Sequence, residues 1–361
     1  MSKKKVLFIA NHRLGRSPGQ RFRFEQYLNF LTQNGFDCEL SNIISQEDDE
    51  ILYSKGNYLK KASIELNARN IRAKDVERAN EYDLIFIFRE ALLTGSIKYE
   101  KLFAKSKAKV IFDFDDAIWL PNVSTANKHL SKLKRTDKVN QVLPLVDMVF
   151  AGNAYLAKHA SAYCKNVKIV PTTIDTEYHK RSSEKRHKQI CIGWTGTDTT
   201  RRYLDDIKEA LKIIQERNRD EIWIKIICDH PWEVADLEVV NEKWNKEKEI
   251  QQLEEIDIGI MPLTDDEWSR GKCGFKALQY MAMESATIVS PVGVNREIIQ
   301  DGVNGYYAET TEEWVEKLSH LIESEEIRNK MGLAARKTVI DKYSVVAQRE
   351  NYLRYFKELT D

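Results

Sequence analysis

Short, continuously apolar runs separated by longer amphipathic stretches pass once through the first half of this chain and start again in the second. That rhythm constrains the fold more than any other feature. Val6 to Ala10, Phe36 to Leu40, Leu84 to Phe88, Val110 to Phe114 and Met148 to Phe150 make the first series. Ile190 to Gly193, Ile222 to Cys228, Ile256 to Met261, Thr287 to Ser290 and Gly305 to Ala308 make the second. A strand that is apolar at every position is buried on both faces, so each series predicts a parallel sheet with helices on either side. Between them, Thr176 to Lys188 is dense in Lys, Arg, His and Ser without an apolar period and reads as a linker. The 361 residues suffice for two domains with separate cores. The expected division is 1–175, 176–343 and a closing helix over 344–361. Ligands of open parallel sheets bind beyond the carboxyl ends of the strands, so two such sheets facing across a cleft would place function there. The charged stretch Glu47 to Asn80 carries no strand signal and reads as a helical insertion.

Charge and cysteine content narrow the class. The 56 basic residues balance the 56 acidic ones, yet the first 180 residues hold 29 basic against 21 acidic and the remainder 27 against 35. A basic first half suits an anionic partner such as a phosphate or a membrane surface. Nucleic acid fits poorly, because the basic residues are not interleaved with aromatic ones. Cys38, Cys164, Cys191, Cys228 and Cys273 form no CxxC pair and are odd in number, which fits reduced thiols in a cytoplasmic protein. No apolar run approaches membrane-spanning length, and Met1-Ser-Lys-Lys-Lys5 leads straight into a strand with no signal-peptide core. The run Lys128 to Lys138 reads either as a solvated helix or as a basic face resting on anionic lipid at the inner membrane face.

Four segments carry residues suited to chemistry. After the first strand of the second series, Gly193-Trp-Thr-Gly-Thr197 opens a helix whose apolar positions, Tyr203, Leu204, Ile207, Ala210, Leu211 and Ile214, recur at three and four. Gly193 and Gly196 permit close backbone approach, Thr195 and Thr197 lie at the turn, and Arg201 can reach an anion at the helix start. The same loop also reads as a plain capped helix with solvated arginines. Second, Trp268-Ser-Arg-Gly-Lys-Cys-Gly274 leads into a helix on which Lys272, Lys276 and Gln279 share one stripe, beside an apolar stripe of Phe275, Leu278 and Ala282. Arg270, Lys272 and Lys276 around the Gly274 turn could neutralise a diphosphate without a metal, or simply form a solvated basic face.

Third, Asp113-Phe-Asp-Asp116 closes a buried strand, and Asp115 or Asp116 could orient or deprotonate a hydroxyl, or cap the segment that follows. No HxxxH, CxxC or second acidic cluster completes a metal cage. Fourth, the first strand runs into a loop with Gly15, Arg21 and Arg23 beside Arg13, Arg16 and Gly19, suited to an anionic acceptor or to phosphates. No GxGxxG follows that strand, so this is not the dinucleotide-binding fingerprint.

Together these residues resemble the retaining glycosyltransferases of family 4, of the GT-B type with two Rossmann-like domains. The resemblance rests on the Ser17-Pro-Gly-Gln-Arg-Phe-Arg23 loop, Asp113 to Trp119, Ile192 to Gly196, Asp257 to Leu263, Trp268 to Gly274, Tyr280 to Ala282 and Pro291 to Asn295, in that order along nearly the whole chain. It implies a second domain that binds a nucleoside diphosphate sugar as substrate, with no further cofactor, and a first domain that receives a glycan or lipid-linked glycan. It also implies a C-terminal helix returning to the first domain. The donor would meet Gly193, Thr195, Gly196, Thr197, Arg201, Arg270, Lys272, Gly274, Lys276 and Gln279. Asp115 and Asp116 would be catalytic, and Gly15, Arg21 and Arg23 would face the acceptor or the phosphates.

The chain departs from the family pattern in three places. The Glu-x7-Glu pair of many members falls on Gly271 and Gln279, and Glu284 stands where a glycine is expected. The missing acids keep two other readings open: a non-catalytic sugar-nucleotide or glycan-binding partner, and an epimerase or phosphorylase on the same fold.

Overall fold

The computed structural model describes residues 3–54, 56–120, 137–181 and 188–361. The chain divides into two units, Met1–Thr172 with Arg349–Asp361, and Thr173–Gln348.

The first unit is built on β1 (Lys4–His12), β2 (Phe36–Ile44), β3 (Leu84–Phe88), β4 (Lys109–Phe114), β5 (Met148–Ala151) and β6 (Val167–Ile169). They align in the order β2-β1-β3-β4-β5-β6, with every neighbouring pair parallel. The all-apolar runs lie inside, β3 being buried at each of its five positions. β6 was not legible as a strand, because its three residues lie half-exposed or exposed at the sheet edge and show no apolar run. One face of the sheet is covered by an aromatic cluster. Phe8 lies 5.2 Å from Phe24 and 5.1 Å from Phe86. The helix Val345–Thr360 adds Tyr352, stacked on Tyr27 at 4.2 Å, and Phe356, 6.0 Å from Phe86.

After β1 the chain forms the helix Pro18–Arg23, a tight turn at Glu25–Tyr27 and the helix Leu28–Gln33. The charged insertion is helical, as Gln46–Tyr53 and Tyr58–Arg78. Its anchor is Arg72, fully buried, which donates to the carbonyls of Ala10 (2.7 Å) and Ala91 (2.8 Å), to Ser41 Oγ (2.8 Å) and to Asp75 (2.8 Å).

The second unit contains β7 (Ile190–Thr195), β8 (Ile222–Ile227), β9 (Val240–Glu242), β10 (Ile258–Met261), β11 (Ala286–Val289) and β12 (Tyr306–Tyr307). Their order is β12-β11-β10-β7-β8-β9, again parallel throughout. Successive connections therefore run outward in opposite directions from the pair β7 and β10, which makes the carboxyl ends of these two strands the switch point where such sheets bind ligands. Two glycines sit side by side inside these two strands, Gly193 paired with Gly259. A Cβ on Gly259 would come within 2.3 Å of Tyr280, and one on Gly193 within 2.3 Å of Ile256. The sequence reads Gly193 as a residue for close ligand approach; in the fold it is a packing residue, buried inside β7 under Ile256.

Candidate functional site

At the switch point of the second unit, the loop leaving β7 lies over the helix Phe275–Ala282. Thr195 donates its N–H to Tyr280 Oη at 2.8 Å, which ties the strand end to that helix. Gly196 lacks a side chain where Lys276 passes, since a Cβ would meet Lys276 Cε at 2.7 Å. The Lys276 ammonium lies 5.5 Å from the Trp194 ring, and the Lys272 ammonium 5.4 Å from the Trp268 ring. Both lysines are half-buried. Gly274, at φ 68°, makes the turn between them, and a Cβ there would strike Ile298 at 2.3 Å. Left-handed backbone and absent space together require glycine at that position. Thr195, Gly196, Lys272, Gly274 and Lys276 are thus carried by the two segments leaving β7 and β10.

Other predicted members are engaged elsewhere in the same unit. Thr197 starts the helix Asp198–Arg201, donating its N–H to Thr200 Oγ1 at 3.3 Å. That helix is only four residues long. The single helix expected after the loop instead continues as a tight turn and resumes at Lys208–Arg217. Arg201 donates to the carbonyls of His230 (2.6 Å) and Pro231 (2.8 Å), which directs it to the loop after β8. Arg270 pairs with Asp265 through Nε (2.7 Å) and Nη2 (3.1 Å). Gln279 is buried, with its Nε2 3.5 Å from Nε2 of the fully buried His179, a partner that the sequence did not suggest. Burial also pushes the Tyr280 hydroxyl well above its ordinary pKa, so it stays protonated at physiological pH.

In the first unit, Asp115 and Asp116 follow β4 and meet Arg89, the residue that follows β3. Arg89 Nε donates to Asp115 Oδ1 at 2.7 Å and Nη2 to Asp116 Oδ2 at 2.6 Å. Its N–H also bonds Asp113 O at 2.8 Å. Burial opposes the guanidinium charge, but the two carboxylates outweigh it and raise the pKa further. Gly19 abuts the same place, with its Cβ position 3.0 Å from Phe88 and 3.6 Å from Asp115 Oδ2. Arg89 escaped the sequence reading; the available signal was a cation closing an apolar strand at its carboxyl end, level with the three aspartates.

The loop after β1 is largely satisfied from within. Arg23 is 1% exposed and is spent on Asp113 and the Val170 carbonyl, so the expectation that it faces an acceptor is corrected. Burial pushes the Asp113 carboxyl up, against the pull of Arg23. Gly15, at φ 75°, donates its N–H to Glu25 Oε2 at 2.7 Å. Asp49 from the inserted helix gathers Arg13 and Arg16. Arg21 is half-buried, 4.9 Å from the Phe22 ring. The basic run Lys128 to Lys138 lies outside the described residues except for its end. Lys138 is buried, donating to the carbonyls of Leu92 (2.8 Å) and Thr94 (3.1 Å), so it does not face lipid.

No helix among the described residues is long and apolar enough to cross a membrane. No curated protein matches the chain in sequence. Among solved structures, a glycosyltransferase from Rickettsia africae aligns over 99% of both chains with a TM-score of 0.67 at 14% identity. HepE of Anabaena, solved with UDP and glucose, aligns over 98% of this chain and 100% of its own, with a TM-score of 0.63 at 12% identity. Sucrose-phosphate synthase of Thermosynechococcus elongatus aligns over 99% of both, with a TM-score of 0.67 at 10% identity. These likenesses show the GT-B class of fold, with its two Rossmann-like units. Residues 175–338 match the family model of glycosyl transferases group 1, so the second unit carries a group 1 glycosyltransferase domain and the chain is a glycosyltransferase.

Proposed function

We propose that this enzyme moves a sugar from a nucleoside diphosphate sugar to a hydroxyl of a glycan or lipid-linked glycan, with retention at the anomeric carbon, in cell-surface polysaccharide or glycoconjugate synthesis. The observation that carries the reading is the meeting of Gly196 with Lys276, beside Lys272 and the Gly274 turn, at the switch point of the group 1 domain. HepE, of like fold, was solved with UDP and glucose. As the bond between the sugar and the diphosphate breaks, its electron pair stays on the departing oxygen. Lys272 and Lys276 would meet that charge without a metal. Fixed cations and dipoles aimed at developing charge are typically the largest catalytic contribution. Asp115 and Asp116, held by Arg89, would orient the acceptor hydroxyl or take its proton.

The second reading, a binding partner without turnover, is favoured by one observation: neither position of the Glu-x7-Glu pair holds a carboxylate, Gly271 and Gln279 both being buried and Gln279 turned to His179. Calorimetry with UDP, GDP and CMP separates donor classes, and product analysis with the corresponding sugar nucleotide separates transfer from binding. Lys272→Ala should weaken the preferred nucleoside diphosphate about tenfold, equivalent to about 1.4 kcal/mol. Unchanged affinity removes Lys272 from the donor site.

A further inference from the structure

The loop that begins at Arg89 and the helix after it carry a feature that the donor-side chemistry does not use. An open groove of about 500 Å³ is lined by Lys98, Lys101, Lys105, Gln141, Ile97 and Leu102, among others. That volume matches small-ligand sites, which span about 300–1,000 Å³. The lysines recur at spacings of three and four, which along the helix Lys98–Phe103 and the turn continuing it sets them on one side.

No carboxylate among the described residues pairs with this row. Among the described residues, the Lys101 and Lys105 ammoniums have no hydrogen-bond or ion-pair partner, and Lys98 lies 5.5 Å from the Tyr99 ring. The acids close by are already committed. Glu100 is buried, accepting from Ala91 N–H at 3.0 Å and facing Lys138 Nζ at 3.3 Å. Asp137 accepts from Gln141 at 2.5 Å. Like charges aligned in this way repel one another, and a multivalent anion set among them relieves the repulsion. Lysine ammonium groups are effective point-charge partners for phosphate. Ile97 and Leu102 add apolar wall, which suits the group that bears the phosphate better than a bare ion.

Resting on the transferase reading above, we propose that this groove seats the diphosphate of a phosphorylated acceptor, with its apolar or glycan moiety against Ile97 and Leu102. The site lies wholly within the first unit, on the helix that follows the loop whose first residue, Arg89, holds Asp115 and Asp116.

The test uses the full chain saturated with UDP, so that the nucleotide site is filled, and titrates geranyl diphosphate by calorimetry. One site is expected. Combining Lys98→Ala, Lys101→Ala and Lys105→Ala should weaken it at least about tenfold, since several charge-assisted contacts are lost, while Arg at the same three positions retains it. UDP affinity should be the same in all three proteins. Equal geranyl diphosphate affinity in the alanine variant, or no binding by the wild type, overturns the proposal. Flotation with phosphatidylglycerol vesicles separates the other source of phosphate: vesicle binding lost in the alanine variant, with geranyl diphosphate unbound by wild type, assigns the lysines to a membrane surface instead. Where UDP does not bind, GDP or CMP fills the nucleotide site in the same design; failure of all three counts against the transferase reading alone, and the comparison of wild type with the alanine variant still reads the groove.

Discussion

Arg89 and Glu284 both adopt left-handed backbone, φ 61° in each, although neither is glycine. Such conformations cost about 1–3 kcal/mol and persist where the surroundings dictate them. At Arg89 the result is aim: the chain turns at the end of β3 so that one guanidinium reaches both Asp115 and Asp116. If Asp115 and Asp116 act as proposed, Arg89→Ala should lower kcat about a hundredfold through their misplacement, with nucleotide affinity unchanged because the proposed donor residues belong to the second unit. An unchanged kcat would take both aspartates out of the chemistry. At Glu284 the side chain lies 3.4 Å from Arg336, which also donates to the carbonyls of Thr176 and His179. The family pattern that the chain resembles marks 284 as a glycine position; the left-handed φ gives the reason, and Arg336 explains how a glutamate is held there. The acid triplet was equally legible, but not its division of labour. Asp113 is spent on Arg23, ninety positions away, and nothing local in either segment announces that pairing.

Elements were legible where burial writes itself into composition. β3 is apolar throughout and β4 is apolar from Val110 to Phe112 because both faces are covered, and their runs mark them in the sequence. β9, by contrast, has no buried residue, so its three positions carry no such mark. The helix Tyr58–Arg78 reads as charged and featureless, and its buried face, Ile64, Ala68, Arg72 and Asp75, is half charged rather than an apolar stripe. Removing Arg72 leaves the Asp75 carboxylate with Ser41 Oγ but without its cation, and the carbonyls of Ala10 and Ala91 without that donor. Breaking a buried pair in this way costs about 3–5 kcal/mol. Arg72→Ala should therefore lower the unfolding free energy of the first unit, read from urea titration, by that amount; a loss below about 1 kcal/mol would mean that the ties are no stronger than a surface ion pair.

At the scale of the whole molecule, the first unit is discontinuous, closing with Arg349–Asp361 after the second unit is complete. Tyr352 and Phe356 are fully buried among Tyr27, Phe8 and Phe86, so the last turns of the chain are part of that core. Ending the chain after Gln348 should lower hydrogen-exchange protection in β1 and β3 while β7 and β10 keep theirs; equal loss in both sheets, or none, would contradict this division. The same arrangement sets an order of events during synthesis. The first unit leaves the ribosome short of part of its core and must wait for some 176 further residues, about 10–35 s at ordinary elongation rates. Throughout that interval Phe8, Tyr27 and Phe86 lack Tyr352 and Phe356, which help to cover them in the finished protein. The N-terminal module is therefore the last to mature, and an interrupted message yields a second unit able to fold beside a first unit that is not.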